Sequence, residues 1–510
     1  MNPLRQGLLK ERIPDAQVMI IFGGSGDLAK RKLLPALYTL ARERLLPATF
    51  AIMGVARNEY ENEDVYRNEM RQGCDTFARR RPVDDALWSG FARTMYYQSQ
   101  EFDDPAAYKR LKARLEEIDK ELGIPAHRLY YFATPPSTFP MIVEHLMGSK
   151  LVSRAYEPWT RTRVIVEKPF GRDLESAQAL NRKLKQAFRE SQIYRIDHYL
   201  GKETVQNMLA FRFGNGIFEP LWNQRHVEQV QITAAESVGV EGRGGYFEEA
   251  GILRDMVQNH LFQILCLTAM EPPVSLDSDS VRDEKVKLLR SLRPIVPERV
   301  DESVVRAQYA AGHVLGRHVP GYRQEPGVAP GSVRETYVAL RLMIDNWRWG
   351  SVPFYLRTAK RMPKKVTDIS IRFRDAPHLL FGAGDHRGQV PNVLTVRVQP
   401  DEGISLHFGS KIPGPAMELA PVNMEFRYGT SFGKEPPEAY ERLILDAMLG
   451  ESTLFIRDDE TEASWQFITQ VLQAWEAQGK REIPVYPAGA WGPEEADAML
   501  AGAGHAWRQP

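Results

Sequence analysis

Three short segments of the 510-residue chain carry side chains that could bind phosphate or move a proton. Residues 23–29 (GGSGDLA) have glycines spaced as in a phosphate-binding turn. Residues 195–203 (RIDHYLGKE) place an imidazole, a phenol and an ammonium group close together, and residues 242–270 combine a GRGGYF stretch with a histidine in a helical pattern. These three types of side chain donate hydrogen bonds to phosphate oxygens, and histidine also transfers protons near neutral pH.

The glycine turn joins a predicted strand to a predicted helix. Residues 17–22 (QVMIIF) form an apolar run that stops at Gly23, and an amphipathic stretch follows. Glycines let the backbone approach a pyrophosphate, and the N-terminus of a helix supplies free N–H groups. A strand-to-helix turn without a nucleotide would explain the glycines about as well, because this motif alone is weak.

The second predicted strand indicates which dinucleotide such a turn would bind. It ends at residues 53–57 (MGVAR), where an NAD site normally carries an acidic residue for the ribose hydroxyls. Arg57 instead suits a 2′-phosphate, which favours NADP. A solvated surface arginine is the alternative interpretation.

Residues 195–203 are predicted to bind a dianion. If the segment is helical, His198 and Lys202 lie four positions apart on one face, with Tyr199 beside them. Lysine supplies a point charge, and the imidazole and phenol supply directional donors. A solvated charged helix face is the alternative.

The residues around His260 support two interpretations. A helix predicted over 246–270 has an apolar stripe through Leu253, Val257 and Ile264, and His260 falls inside that stripe. A histidine in such a stripe is more often a satisfied core residue than a catalyst. The local pattern by itself therefore favours the core interpretation.

The elements that must position these residues change in type near residue 195. Before it, apolar runs alternate with helical patterns, which predicts a Rossmann-like parallel α/β sheet with helices on both faces. The runs are 17–22, 50–55, 129–133 and 164–166, and the helical patterns include 104–121 and 173–190. We predict a domain over residues 1–195 that binds the dinucleotide.

The rest of the chain predicts an α+β domain over residues 196–510. Alternating apolar and polar residues indicate an extended antiparallel sheet built from 227–233, 335–344, 367–374 and 393–399. Flanking helices are predicted at 246–270, 281–291, 437–449 and 459–478. The segment 316–332, rich in Pro and Gly, is predicted to be a loop.

Composition excludes several classes of protein. Lys plus Arg and Asp plus Glu each number 66, so no global field favours nucleic acid or an anionic membrane. Cys74 and Cys266 form neither a disulfide framework nor a zinc site, and no cluster of metal ligands is evident. Charges interrupt the apolar stretches of residues 1–17, and no run approaches the roughly 18 apolar residues of a membrane span. We expect a cytoplasmic protein.

Taken together, the motifs resemble the glucose-6-phosphate dehydrogenase family. The matching stretches cover nearly the whole chain: GGSGDLAKRKLLPALY, EKPFGRDL, RIDHYLGKETVQN, EGRGGYF, RDMVQNHL, VRDEKVK, VPFYLRTAK and AYERLILD. The resemblance implies oxidation of D-glucose 6-phosphate at C1 to 6-phospho-D-glucono-1,5-lactone, the first step of the pentose phosphate pathway. It further implies NADP as hydride acceptor with NAD as a weaker alternative, no metal, and a homodimer or homotetramer.

The resemblance implies a cofactor site and a catalytic pair. The residues that would cradle the NADP phosphates are Gly23, Gly24, Ser25, Gly26, Asp27, Leu28, Ala29 and Lys30. Ser25 and Arg57 would meet the 2′-phosphate, and Lys168, before a cis Pro169, would lie between cofactor and sugar. His260 is similar in position to the family's general base and Asp197 to the carboxylate that orients it, which reverses the core interpretation.

The resemblance also implies a substrate site. His198, Tyr199 and Lys202 would hold the phosphate. The residues predicted at the sugar are Glu236 and Asp255, with Lys360 and Lys365 reaching in from the second domain. Ala359 stands where the family often has Gly, and the spacing after Lys360 varies among members, so these two lysines are less firmly placed. Lys32 matches a family lysine whose role is open, as is the presence of a second, structural NADP site.

Two alternatives remain open at this point. The protein could oxidise another hexose 6-phosphate. The predicted phosphate clamp, formed by His198, Tyr199 and Lys202, recognises phosphate and not the C4 hydroxyl. It could also be a catalytically silent NADP-binding scaffold that regulates a partner, although Asp197, His260 and Lys202 are all retained.

Overall fold

The computed structural model describes residues 13–152, 162–376, 390–432, 436–479 and 482–510. Residues 1–17 show no secretory pattern in the sequence. Residues 1–12 of that segment lie outside the described residues. Across the described ranges, every helix is too short or too polar to cross a bilayer.

A six-stranded parallel sheet forms the N-terminal half of the fold. Its strands are β1 (Gln17–Phe22), β2 (Phe50–Ala56), β3 (Met95–Ser99), β4 (Arg128–Phe132), β5 (Thr162–Val166) and β6 (Ile193–Arg195). The order β3-β2-β1-β4-β5-β6 is the order found in dinucleotide-binding sheets. The sequence predicted four of these strands and missed β3, which is partly polar, and β6, which has three residues.

Helices cover both faces of this sheet, which explains why most residues of its strands are buried. They are α1 (Leu34–Arg42), α2 (Glu63–Phe77), α3 (Asp85–Arg93), α4 (Pro105–Leu122), α5 (Phe139–Gly148) and α6 (Leu174–Ala187). A π-helical turn, Ala29–Leu33, connects the glycine turn to α1. The side chain of Asp104 caps the start of α4 and Gly123 ends it at φ 68°, close to the predicted bounds.

A nine-stranded sheet dominates the second half. The strands after residue 195 are β7 (Val227–Ala235), β8 (Val304–Ala310), β9 (Gly312–Val314), β10 (Arg317–Val319), β11 (Tyr337–Leu342), β12 (Phe354–Ala359), β13 (Val366–Phe373), β14 (Val393–Gln399), β15 (Gly403–Lys411), β16 (Leu419–Arg427) and β17 (Val485–Pro487). Its order is β16-β15-β14-β13-β7-β12-β11-β8-β17. The predicted extended antiparallel sheet is confirmed, and the structure adds two parallel pairs, β7 with β12 and β8 with β17.

The helices of this half are α7 (Glu203–Phe213), α8 (Gly244–Ile252), α9 (Phe262–Ala269), α10 (Ser278–Arg290), α11 (Tyr428–Phe432), α12 (Ala439–Leu449), α13 (Asp458–Ala477) and α14 (Glu494–Ala501). The helix predicted over 246–270 is interrupted, because Gly251 adopts φ 65° and ψ 169° and a π-helical segment, Leu253–Leu261, follows. The predicted loop 316–332 contains β10, which pairs with β9.

The last helices return to the N-terminal sheet. Helix α12 packs against α1, and α13 packs against both α6 and the segment Leu253–Leu261. Ile456 forms an isolated bridge with Arg195 at the end of β6. The C-terminal helices thereby contact the N-terminal half of the fold beside Arg195, two residues before the predicted site residue Asp197.

Candidate active site

The segment after β6 positions the predicted clamp as a turn. Residues 198–201 turn and α7 begins at Glu203, so the premise that this segment is helical was wrong. Asp197 causes the turn, because its Oδ1 accepts the backbone N–H of Tyr199 at 2.9 Å, and such side-chain bonds compete with helix. Gly201 is required there, since a Cβ would lie 2.6 Å from the backbone oxygen of Ala439.

The π-helical segment Leu253–Leu261 brings Asp255 and His260 to this turn. A side chain at Gly251 would lie 2.1 Å from Glu335, so the break that starts the segment depends on glycine. His260 is 1% exposed, as the core interpretation requires. Its ring, however, meets a carboxylate and an ammonium group, and π-helical insertions of this kind are frequent at functional sites.

His260 and Asp197 form a buried pair. Nδ1 of His260 lies 2.5 Å from Oδ1 of Asp197, which assigns the proton to Nδ1 and leaves a lone pair on Nε2. Burial lowers the pKa of His260 below its ordinary value, so the ring is neutral near neutral pH. Burial would raise the pKa of Asp197, but the facing imidazole outweighs it and holds that pKa well below the usual range.

Lys168 lies against the other ring nitrogen. Its Nζ is 3.0 Å from Nε2 of His260, and it donates to the backbone oxygen of Asp255 at 3.0 Å and to Oδ1 of Asp255 at 3.2 Å. Burial acts to lower the pKa of Lys168, yet the charge of Asp255 prevails and the pKa is raised. The bond from Lys168 to Pro169 is cis, as predicted.

The predicted phosphate clamp is a group of cations and donors around Tyr199. The Lys202 ammonium lies 4.3 Å from the centre of the Tyr199 ring. The centre of the half-buried His198 ring lies 5.1 Å from the centre of the same Tyr199 ring. Burial and the neighbouring Lys365 lower the pKa of Lys202 to about 8. The Tyr199 hydroxyl lies 3.3 Å from Oγ1 of Thr367, so it is partly engaged within the protein.

Glu236 and Lys360 follow two adjacent parallel strands, β7 and β12. The Lys360 ammonium lies 2.5 Å from Oε2 of Glu236, and the backbone N–H of Glu236 donates to Ala359. The chain has alanine at position 359, where the family often has glycine, and Lys360 still forms its ion pair with Glu236. Burial would raise the pKa of Asp255, but the charges of Lys168 and then Lys360 outweigh it and hold that pKa below its usual range.

The glycine turn fits a dinucleotide pyrophosphate. It lies at the carboxyl ends of β1 and β4, where the strand order reverses, which is where such sheets bind ligands. A Cβ on Gly23 would lie 2.7 Å from the Ala133 oxygen and one on Gly24 would lie 2.6 Å from the Gly54 Cα. The helix that starts at Asp27 leaves the N–H groups of its first turn without helical partners.

The ribose end of this turn carries Ser25, Arg57 and Asn58. Ser25 is buried and donates to Oδ1 of Asn58 at 3.0 Å, while the neighbouring Arg57 is exposed. The Nζ of Lys30 forms an ion pair with Glu69 at 2.5 Å, and its role at the cofactor phosphates stays a prediction.

Asp197, His198 and His260 also place three possible metal-ligand atoms within 4.8 Å of one another. The prediction that the chain has no cluster of possible metal ligands was therefore wrong, because these three side chains do lie close enough together. The pairing of Asp197 with His260 accounts for two of the atoms. The Lys168 ammonium, 3.0 Å from Nε2 of His260, disfavours a second cation beside that ring.

Comparison with known proteins places the chain in a family. The model of the glucose-6-phosphate dehydrogenase NAD binding domain matches residues 20–207, and that of the C-terminal domain matches residues 209–508. The chain belongs to the glucose-6-phosphate dehydrogenase family. This confirms the resemblance inferred from the motifs.

Individual relatives match over nearly their full length. The chain is 46% identical over 507 residues to a glucose-6-phosphate 1-dehydrogenase of Chlamydia pneumoniae, covering 98% of each, and 47% identical over 492 residues to that of Aggregatibacter actinomycetemcomitans, covering 96% of this chain and 97% of the relative. A solved glucose-6-phosphate dehydrogenase in complex with its substrate glucose-6-phosphate is 38% identical, with a TM-score of 0.87 over 98% of this chain and 100% of that one.

Sequence reasoning missed three polar residues of the site. Gln399 accepts from Lys202 and donates to Thr367 at 3.0 Å. Tyr246 donates to Asp255 at 3.3 Å, and Asn58 meets Ser25. Tyr246 lies in the GRGGYF stretch that was singled out, so proximity in the motif could have identified it. Gln399 is the last residue of β14 and Asn58 lies two residues after β2, and neither carries a local signal of its own.

Proposed function

We propose that this protein oxidises D-glucose 6-phosphate at C1 to 6-phospho-D-glucono-1,5-lactone, with NADP as hydride acceptor. The observation that carries the proposal is the hydrogen-bonded pair of His260 and Asp197, which faces a group of cations beside a dinucleotide-binding sheet. Family membership over nearly the whole chain supports the same reaction.

His260 is the general base of the proposed reaction. The C1 hydroxyl of the sugar loses its proton to Nε2 of His260 while the C1 hydrogen leaves as hydride, so that a C1 carbonyl forms. Asp197 fixes the tautomer through Nδ1 and stabilises the imidazolium that results. NADP, when bound, supplies the nicotinamide C4 that accepts the hydride.

The other site residues bind and orient the substrate. The phosphate is held by His198, Tyr199 and Lys202, with Lys365 nearby. The sugar hydroxyls are bound by Glu236, Asp255 and Lys360. The phosphate is remote from C1, so its binding energy orients the reacting carbon and raises its effective concentration. Lys168 releases Nε2 of His260 when the sugar hydroxyl takes its place. Residues 23–30 and Arg57 hold NADP.

A spectrophotometric assay of reduced nicotinamide tests the proposal. Purified protein should reduce NADP to NADPH with glucose 6-phosphate, and should do so more slowly with galactose 6-phosphate. Reduction of NAD to NADH with glucose 6-phosphate should also be slower. Faster oxidation of galactose 6-phosphate would favour the other hexose substrate. Flat absorbance with both cofactors would favour the silent NADP-binding scaffold.

We also propose that the nine-stranded sheet forms the interface of a homodimer or homotetramer. The hairpin of β15 and β16 exposes Met424 and Met417 by 62% and 64%, and apolar side chains are costly to leave in water. Closed two-fold symmetry is the commonest arrangement. Sedimentation as a monomer at micromolar concentration would contradict this. The cytoplasmic location and the domain boundary at residue 195 stay predictions from the sequence.

A further inference from the structure

Glu167 is a buried carboxylate that the proposed reaction does not use. It directly follows β5 and precedes Lys168, and it is 9% exposed. Its Oε1 accepts from the hydroxyls of Tyr131 at 2.5 Å and Tyr440 at 3.1 Å. The backbone N–H of Lys168 donates to the same carboxylate. A buried carboxylate is costly unless donors surround it, and here three donors do so.

Tyr440 is the donor that comes from outside the parallel sheet. It lies in the first turn of α12, and the residues beside it contact two other parts of the site. Glu438 forms an ion pair with Lys32 at 2.5 Å, just after the glycine turn. Ala439 packs against Gly201 in the clamp turn. One helical turn therefore contacts the segments that carry the cofactor site, the phosphate clamp and Lys168.

We propose that Tyr440 is a positioning residue that acts through Glu167 to fix the backbone of Lys168, so that its ammonium group meets His260 and Asp255. The proposal rests on the proposed function, since it assumes that His260 is the base. The lysine reaches three acceptors 3.0–3.2 Å away, and a shift of its backbone would weaken all three contacts at once.

The charges around His260 provide a readout that a purely structural role would not move. Burial lowers the pKa of His260, and the nearby Lys168 lowers it further. A Lys168 that is displaced from the ring should therefore let the pKa of His260 rise. The acid limb of the pH profile of kcat/KM would then move to higher pH.

The test compares Tyr440→Phe with Tyr130→Phe. The control removes a fully buried phenol hydroxyl from β4, where it donates to the backbone oxygen of Leu151 at 3.1 Å. We expect Tyr440→Phe to lower kcat for glucose 6-phosphate by about tenfold, the effect of one hydrogen bond to a charged group. We expect its KM for glucose 6-phosphate to stay near the wild-type value and its acid limb to shift to higher pH. The control should change neither.

Indistinguishable kcat and pH profiles for the two variants would overturn the positioning role. If Tyr440→Phe does not fold, Glu167 provides the second test. Glu167→Gln keeps an oxygen that accepts from both phenols, whereas Glu167→Ala does not, so the glutamine variant should retain the higher kcat. Equal kcat values would also overturn the role. Wild-type protein without activity on glucose 6-phosphate would instead refute the proposed function.

Discussion

The ammonium group of Lys168 lies 3.0 Å from Nε2 of His260, at the ring nitrogen opposite the one that faces Asp197. The atom that must take the substrate proton is thus hydrogen-bonded before substrate arrives. The contact also sets the electrostatics of the base. Burial and the positive charge of Lys168 both disfavour a positive charge on the ring. His260 therefore remains neutral at pH values below its ordinary pKa.

Replacing Lys168 by glutamine should move the acid limb of the kcat/KM profile to higher pH. The substitution removes a positive charge that lowers the pKa of His260, so that pKa rises and the neutral base is lost at a higher pH. A pH series of initial rates measures the limb. Lys120→Gln, at an exposed position near the end of α4, should leave it in place. A limb that stays fixed in Lys168→Gln would show that the lysine does not act on the base.

His260→Ala should abolish turnover far more than it weakens substrate binding. Loss of a general base typically costs about 100- to 10,000-fold in rate. Steady-state kinetics and a binding titration with glucose 6-phosphate separate the two effects. His226→Ala, at an exposed turn before β7, is the matched control and should retain wild-type rates. A drop below about threefold in a folded His260→Ala protein would restore the core interpretation.

Asp197→Asn should also lower kcat. The carboxylate accepts the Nδ1 proton and stabilises the imidazolium, whereas an amide provides no charge and can favour the wrong tautomer. Oδ1 also accepts the backbone N–H of Tyr199, and the asparagine oxygen can keep that bond. The clamp turn should therefore persist, and KM for glucose 6-phosphate should change less than kcat. Unchanged kcat would remove Asp197 from the mechanism.

Most of the N-terminal sheet could be predicted because four of its strands contain apolar runs that alternate with helices. The parallel direction of its strands follows from the same α/β pattern, since parallel neighbours need helical crossovers. The shortest strand, Ile193–Arg195, has too few residues to show a period. The second sheet contains two parallel pairs because distant segments meet in it, and no local pattern encodes such long-range pairing.

The chemistry of the site could be predicted, but its geometry could not. Residue types indicated that His198, Tyr199 and Lys202 act together, yet the helical spacing used to place them was wrong, because Asp197 bends the segment. Lys30 illustrates the same limit. Its partner Glu69 is 39 positions away, and only the packed structure brings an ion pair to the side chain that appeared free in the motif.

Arg57→Ala should raise KM for NADP and barely change KM for NAD. Only NADP carries the 2′-phosphate, and the exposed Arg57 stands beside Ser25 and Asn58 at the end of β2. One charge-assisted contact is worth about 1.5–3 kcal/mol, or roughly tenfold to a hundredfold in KM. Initial rates with both cofactors measure the ratio, and Arg93→Ala, exposed at the end of α3, should not change it. Equal increases in KM for NADP and NAD would indicate that Arg57 has a structural role and does not recognise the 2′-phosphate.

Lys202→Ala should damage the use of glucose 6-phosphate much more than the use of free glucose. Glucose has no dianion, so the clamp's charge does nothing for it. The phosphorylated sugar loses a charge-assisted contact worth about 1.5–3 kcal/mol. The ratio of kcat/KM for the two sugars measures the difference, with Lys287→Ala, a 66% exposed residue of α10, as the control. Equal losses for both sugars would overturn the clamp and assign Lys202 to the reacting end.

The same lysine predicts a pH dependence of substrate binding. Burial and Lys365 lower the pKa of Lys202 to about 8, so the free enzyme loses this cation as the pH rises through that value. A dianion binds the charged form, and therefore KM for glucose 6-phosphate should rise above about pH 8 while KM for glucose stays level. Lys202→Ala should remove this rise and Lys287→Ala should keep it. A wild-type KM for glucose 6-phosphate that stays constant through this range would show that phosphate binding does not depend on the Lys202 charge.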